Sequence, residues 1–168
     1  PGDTARVLVP SPFAEAVALV TVEREGVLET RVTTLGTSSV VEVPIEPRHA
    51  PNVFVSVLIL KGRTSEEFSK DGADLGRPTY RIGYVTLPVA DAARRIDVAV
   101  EPAKPVYAPR DEVTLELRSS APAEITVLVV DEAVLSLTGY ETPDPYAFFS
   151  KPRALGVRSA ETRRGVMA

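Results

Sequence analysis

The sequence predicts an all-β fold of two tandem antiparallel β-sandwich modules, the second incomplete. Three observations carry this reading. Valine supplies 25 of the 168 residues, tryptophan is absent, and only five tyrosines and five phenylalanines occur. β-Branched side chains suit a pleated, half-buried surface. Fifteen prolines and ten glycines provide many turns and argue against long helices. Finally, an opening phrase recurs: Pro109, Asp111 and Leu115 follow Pro1, Asp3 and Val7 at an offset of 108 residues. A repeat of that length, each copy entering a strand through a Pro-x-Asp turn, marks tandem modules. The first copy begins inside its own phrase, so the chain reads as a piece of something longer.

The first module is expected over residues 1–94. Residues 5–9 form a strand that Pro10 and Pro12 end. Residues 16–23 and 27–35 are two β-rich runs joined by Arg24-Glu-Gly26, the pattern of a hairpin. Residues 40–43 make a short strand closed by Pro44 and Pro47. Residues 53–60, Val-Phe-Val-Ser-Val-Leu-Ile-Leu, are almost wholly apolar, as a central strand should be. Residues 61–79 are polar and glycine-bearing, without periodicity, and read as a long surface loop. Residues 80–87 alternate, stop at Pro88, and close the module.

The second module is expected over residues 95–157, after a connection at 91–95. Ile96, Val98 and Val100 share one face of a strand, and Val113, Leu115 and Leu117 point inward from another. Residues 123–130 read as a third, strongly apolar strand. Three strands fall short of the roughly seven of a sandwich. The missing ones lie beyond residue 168 or come from another chain. Asp131 can cap a short helix over 132–137, with Gly139 near its end. Asp144-Pro145 predicts another helical turn over 145–149. The aromatic cluster Tyr146, Phe148 and Phe149 is expected to plug the open end of the module. Residues 158–168 are polar and basic, have no apolar face, and should be mobile.

Composition narrows the chemistry. Net charge is −4 with signs interspersed, and no basic stripe points to nucleic acid. Cysteine is absent, which excludes disulfides, thiolate metal sites and cysteine nucleophiles within these residues. No apolar run approaches the ~20 residues that cross a bilayer as a helix. His49, the single histidine, sits between Pro47 and Pro51 and reads as a surface or turn residue. Asp131 and Glu132 are adjacent, so their side chains diverge; a helix cap explains them better than an acid/base pair. Ser38-Ser39 and Ser119-Ser120 lie in turns without nucleophile-elbow context. No catalytic residue, cofactor or metal ligand is assigned, and an enzyme is not expected.

Particular phrases resemble a known family. Pro105-Val-Tyr-Ala-Pro-Arg-Asp111 is similar to the Pro-x-Tyr-x-Pro-Gly-Asp opening of macroglobulin-like domains, which are immunoglobulin- or fibronectin-III-like sandwiches. Val129-Val-Asp-Glu-Ala-Val-Leu135 and Thr138-Gly-Tyr-Glu-Thr-Pro-Asp-Pro145 resemble the segment preceding the bait region of bacterial α2-macroglobulins. Ala5-Arg-Val-Leu-Val-Pro-Ser-Pro-Phe13 and His49-Ala-Pro-Asn-Val-Phe-Val-Ser-Val57 resemble the preceding domain of the same proteins. Arg110 stands where that opening phrase has glycine, so its turn lacks easy access to positive φ.

The resemblance implies a protease trap. An attacking protease cuts an exposed bait, and the molecule rearranges to cage it or hold it through a thioester. The thioester motif of the family, Cys-x-Glu-Gln, would lie elsewhere. A disordered tail is cheap for a protease to thread, whereas opening a strand costs up to the global stability, about 5–15 kcal/mol. The candidate bait positions are therefore Arg158, Arg163 and Arg164 for trypsin-like enzymes, and Val166 and Met167 for others. The implied partners are target proteases, other macroglobulin domains of the full protein, and a peptidoglycan synthase. The implied place is the periplasm, with the full protein anchored to the inner membrane as a lipoprotein. The alternative is a structural spacer or adhesin-like module without inhibitory activity.

Overall fold

The computed structural model describes residues 1–65, 71, 72, 74 and 76–160. The chain forms two compact units: Pro1–Ala90 together with the segment from Ser150, and Asp91–Phe149. The first module thus ends four residues earlier than the expected residue 94. Residues 150–157, assigned above to the second module, belong with the first, because hydrogen bonds described below hold them to it.

The first unit is an antiparallel β-sandwich. Strands β1 (Thr4–Pro10), β2 (Ala16–Glu23), β3 (Val27–Leu35), β4 (Ser38–Pro44), β5 (Asn52–Lys61) and β6 (Thr79–Pro88) make two sheets. One has the order β1-β4, the other β3-β2-β5-β6. Alternation decides which side chains go in. Ala18, Val20 and Val22 of β2 stand opposite Ile59, Val57 and Val55 of β5. With Val9, Val41 and Val43 from the smaller sheet they form one buried cluster. Among the described residues β1 pairs with β4 alone, and its other edge carries no strand. Beside that edge an apolar groove opens toward β6, lined by Val7, Val9, Val55, Val57 and Val85.

The loop between β5 and β6 is less formless than its composition predicts. Arg63 forms a two-pronged ion pair with Asp74, at 3.0 and 2.8 Å. Thr64 N–H donates to Gly76 O at 3.0 Å. The Arg63 guanidinium holds the Asp74 carboxyl below its ordinary pKa.

In the second unit β7 (Val98–Pro102) and β8 (Leu115–Ser119) form a two-stranded ribbon. Val100 faces Leu117 across it. Val98, Val100, Leu115 and Leu117 share one face as predicted, yet each stays 37–56% exposed, because no second layer covers this ribbon among the described residues. Residues 123–130 join no sheet among the described residues, and Leu128 and Val129 are 74% and 88% exposed. This corrects the expected third strand: the apolar sequence is there, but the neighbour to pair with is not. Helix α1 (Glu132–Thr138) starts where expected, with Asp131 Oδ1 accepting from Ala133 N–H at 2.7 Å. It stops at Gly139, whose φ of 61° is left-handed. Helix α2 (Pro145–Phe149) follows Asp144, which accepts from Ala147 N–H. The aromatic plug does not form: Phe148 and Phe149 stack edge to face on each other and remain exposed, and only Tyr146 is half-buried.

The internal repeat is visible in the backbone. Gly2 has φ 92° and Arg110, its counterpart, φ 76°. Both copies of the Pro-x-Asp turn need a left-handed residue, and Arg110 adopts that conformation despite its side chain.

Candidate functional site

The candidate site is the stretch of chain leading out of the second unit toward residue 161, and the surface that receives it. Residues 151–160 run without regular secondary structure over the outer face of the β3-β2-β5-β6 sheet. That face carries Thr21, Glu23, Asn52 and Ser56, all buried although they point away from the core. Two attachment points bracket it. At one, the Asn52 side chain grips the Arg153 backbone on both sides: Arg153 N–H donates to Oδ1 at 2.7 Å, and Nδ2 donates to Arg153 O at 3.0 Å. At the other, Tyr84 OH hydrogen-bonds Ser159 Oγ at 3.2 Å. Tyr84 is the cross-strand neighbour of Ser56, on the same face.

Between them, Gly156 N–H donates to Arg24 O at 2.6 Å. The fit is close. A Cβ at Gly156 would lie 3.0 Å from Glu25 O and 3.1 Å from Glu25 Cα. Leu155 and Val157 alternate with exposed residues and are half-buried, as in an extended strand laid on a surface.

The receiving surface is built by the β2–β3 turn. Arg24 Nη1 donates to Ala50 O at 2.9 Å and Arg48 O at 3.2 Å, tying the turn to the segment before β5. Its Nε donates to Glu25 Oε2 at 2.6 Å. Glu25 Oε1 in turn accepts from Arg153 Nη1 at 2.9 Å. Arg24 first and Arg153 second lower the Glu25 pKa to about 2. Under the same face Thr21 Oγ1 donates to Glu23 Oε1, while Glu23 Oε2 is buried without a hydrogen-bond partner among the described residues.

His49 is in a turn, as expected, but not on the surface: it is fully buried. Its Nδ1 accepts from Glu46 N–H at 3.1 Å, closing the 3-10 turn Pro47–His49. Nδ1 therefore uses its lone pair, and Nε2 carries the proton. Nε2 faces Glu29 Oε1 at 3.3 Å. Glu29, Glu46 and His49 cluster closely enough to suggest a metal site. The chemistry does not fit one. A protonated Nε2 is no ligand, and Arg48 already pairs with Glu29 at 2.9 Å and Glu46 at 2.7 Å. The cluster closes a turn.

The serine pairs lie at strand ends rather than in turns: Ser38 and Ser39 begin β4, and Ser119 ends β8. Ser39 Oγ accepts from Gly36 N–H, and Ser120 Oγ from Asp97 N–H. Of the predicted cleavage positions, Arg158 is exposed and makes no hydrogen bond to another described residue. Arg163, Arg164, Val166 and Met167 lie outside the described residues. Sequence reasoning missed Arg24, Glu25, Asn52 and Gly156. A lone asparagine heading an apolar strand carries no mark of a partner 101 positions away.

The arrangement is a β-sandwich with a later segment of the chain held against its outer face. The family described as alpha-2-macroglobulin bait region domain matches residues 1–137. The chain belongs to the alpha-2-macroglobulin family. It is 31% identical to the alpha-2-macroglobulin of Escherichia coli strain K12, across 91% of this chain and 9% of that protein. It is 30% identical to the alpha-2-macroglobulin of Ralstonia nicotianae, across 96% of this chain and 10% of the relative. An alpha-2-macroglobulin homolog of Nostoc is 25% identical over 99% of this chain. The chain thus spans about a tenth of the length of these relatives.

Proposed function

We propose that this chain is scaffold from a broad-spectrum endopeptidase inhibitor that traps proteases after an exposed bait is cut. The membership in the family is the observation that carries the reading. Arg158 supports it: it is exposed near the end of the held segment, next to the last attachment point at Ser159. The role is mechanical rather than enzymatic. The first sandwich is a stiff support, and the chain from Arg158 onward is the tether whose scission frees the rest of the molecule to rearrange. The partners are target proteases and neighbouring macroglobulin domains, with a peptidoglycan synthase as a further partner. The place is the periplasm, with the full protein held at the inner membrane by a lipid. A thioester, where the full protein has one, lies outside these residues.

The test uses the full-length protein. It is mixed with a trypsin-like protease, and the cut positions, the sedimentation coefficient and the activity of the captured protease on large and small substrates are measured. Cuts from Arg158 onward, a compaction, and loss of activity on large substrates alone support the trap. Cuts without a change of shape, leaving the protease fully active on large substrates, favour a plain spacer instead.

A further inference from the structure

We propose that Asn52 and Glu25 form a lock that withholds the Arg153–Ala154 bond from arginine-specific proteases and makes Arg158 the first arginine of the outgoing segment to be cut. The inference rests on the bait reading above and names the residues that set where the bait begins.

Both arginines have the side chain a trypsin-like enzyme selects. They differ in what else is occupied. To cut after Arg153 a protease must bind the guanidinium in its specificity pocket, engage the backbone N–H, and take the scissile carbonyl oxygen into its oxyanion hole. All three groups are engaged within the protein. The guanidinium is on Glu25 Oε1 at 2.9 Å. The N–H is on Asn52 Oδ1 at 2.7 Å, and the carbonyl oxygen is on Asn52 Nδ2 at 3.0 Å. Asn52 is 1% exposed with the segment in place, so water does not compete for its amide. Three residues on, the Gly156 N–H bond to Arg24 O keeps the far side of the scissile bond against the turn. Arg158 has none of these partners among the described residues and is exposed. Cutting there requires the chain from about Leu155 to lift, which releases the Gly156–Arg24 and Ser159–Tyr84 hydrogen bonds but leaves the Asn52 and Glu25 contacts of Arg153 intact. Lys151 precedes Pro152, which trypsin-like enzymes do not cut before, so Arg153 is the bond that needs protection.

A further consequence concerns the cut product. Scission at Arg158 or beyond leaves residues 151–157 seated on the first sandwich. The stub stays with the support instead of following the tail.

The test is brief trypsin digestion of the full-length protein, with cut positions and rates read by mass spectrometry. A free peptide covering residues 149–162 gives the rates without the lock. Cleavage after Arg153 should be at least about tenfold slower than after Arg158 in the protein, and comparable at the two positions in the peptide. Asn52→Ala should raise the Arg153 rate about tenfold. Because Asn52 is buried, Gly156→Val is the second variant. It crowds the strap formed by residues 151–160 off the turn without touching the sandwich core, and its own peptide is the control. It should raise cleavage after Arg153 selectively, leaving the unfolding midpoint and cleavage elsewhere unchanged. The lock is wrong if Arg153 in the wild-type protein is cut at the peptide rate, or if Gly156→Val leaves it resistant. These outcomes stand apart from trapping. Resistance at Arg153 in a protein that captures no protease overturns the proposed function and leaves the lock in place.

Discussion

Single residues decide more here than their number suggests. Arg110 holds a φ of 76° that glycine adopts freely and an L side chain resists by roughly 1–2 kcal/mol. Arg110→Gly should therefore stabilise the second unit by about 1 kcal/mol, less what the freer glycine costs in the unfolded chain. Urea denaturation followed by a probe within 91–149 checks this, and a loss of stability would show that the arginine side chain makes up for its backbone. His49 works in the opposite sense. Its imidazole fills a fully buried site and satisfies the Glu46 N–H. His49→Ala leaves a cavity and an unpaired donor, and should cost about 2–4 kcal/mol in denaturant unfolding. Adding zinc to the wild type should leave the melting temperature unmoved, because the nitrogen facing Glu29 already carries a proton. The residue-level signals were unequal in the sequence. Arg110 announced itself by standing where its repeat has glycine. His49 looked like any turn histidine, since burial depends on a fold that its neighbours Pro47 and Pro51 do not encode.

Elements were legible where both faces of a strand are covered. β5 reads as a continuous apolar run because its inner face meets the core and part of its outer face lies under residues 151–160. β2 shows cleaner alternation until Thr21 and Glu23, polar residues buried under that same strap. Their burial was not readable, since the cover arrives from more than a hundred positions away. Residues 123–130 carry the same signature as β5 and yet form no ladder. Pattern predicts a wish to pair, and geometry must still supply the partner. The strap itself answers to acid. Glu25 joins it to the turn through Arg153, and its pKa is lowered from an ordinary 4.5 to about 2 by Arg24 and Arg153. A depressed carboxyl contributes above its unfolded pKa and stops contributing as pH falls through the folded value. Arg24 stays beside Glu25 when the strap lifts, so only the Arg153 share of the shift is linked to it: the strap should hold fully near neutral pH and loosen as the pH falls toward 2. Because Glu25 is exposed, added salt should weaken the effect. Amide exchange at Gly156, measured along a pH series and corrected for intrinsic rates, reads it. Equal protection at pH 5 and pH 2.5 would assign the hold to Asn52 alone.

At the scale of the molecule, the two units differ in completeness. The first buries a contiguous valine-rich core, whereas the second offers a two-stranded ribbon and an apolar stretch in the open. The sequence predicted this imbalance from a strand count and from the offset of 108 residues. It did not predict that the outgoing chain would return to the first unit, because Asn52, Gly156 and Glu25 are each unremarkable where they stand. Residues 125–130, Ile-Thr-Val-Leu-Val-Val, combine high β-propensity with no charge and no proline, the composition of segments that stack into dry zippers. Val129 is almost fully in solvent, so Val129→Lys should cost the fold little and keep these 168 residues, made by themselves, in solution at concentrations where the wild type sediments. Analytical ultracentrifugation distinguishes the two, and equal behaviour would acquit the stretch. The practical consequence falls on anyone producing this region in pieces. Failure would come as fibres and visible turbidity, with the first sandwich still folded inside the precipitate.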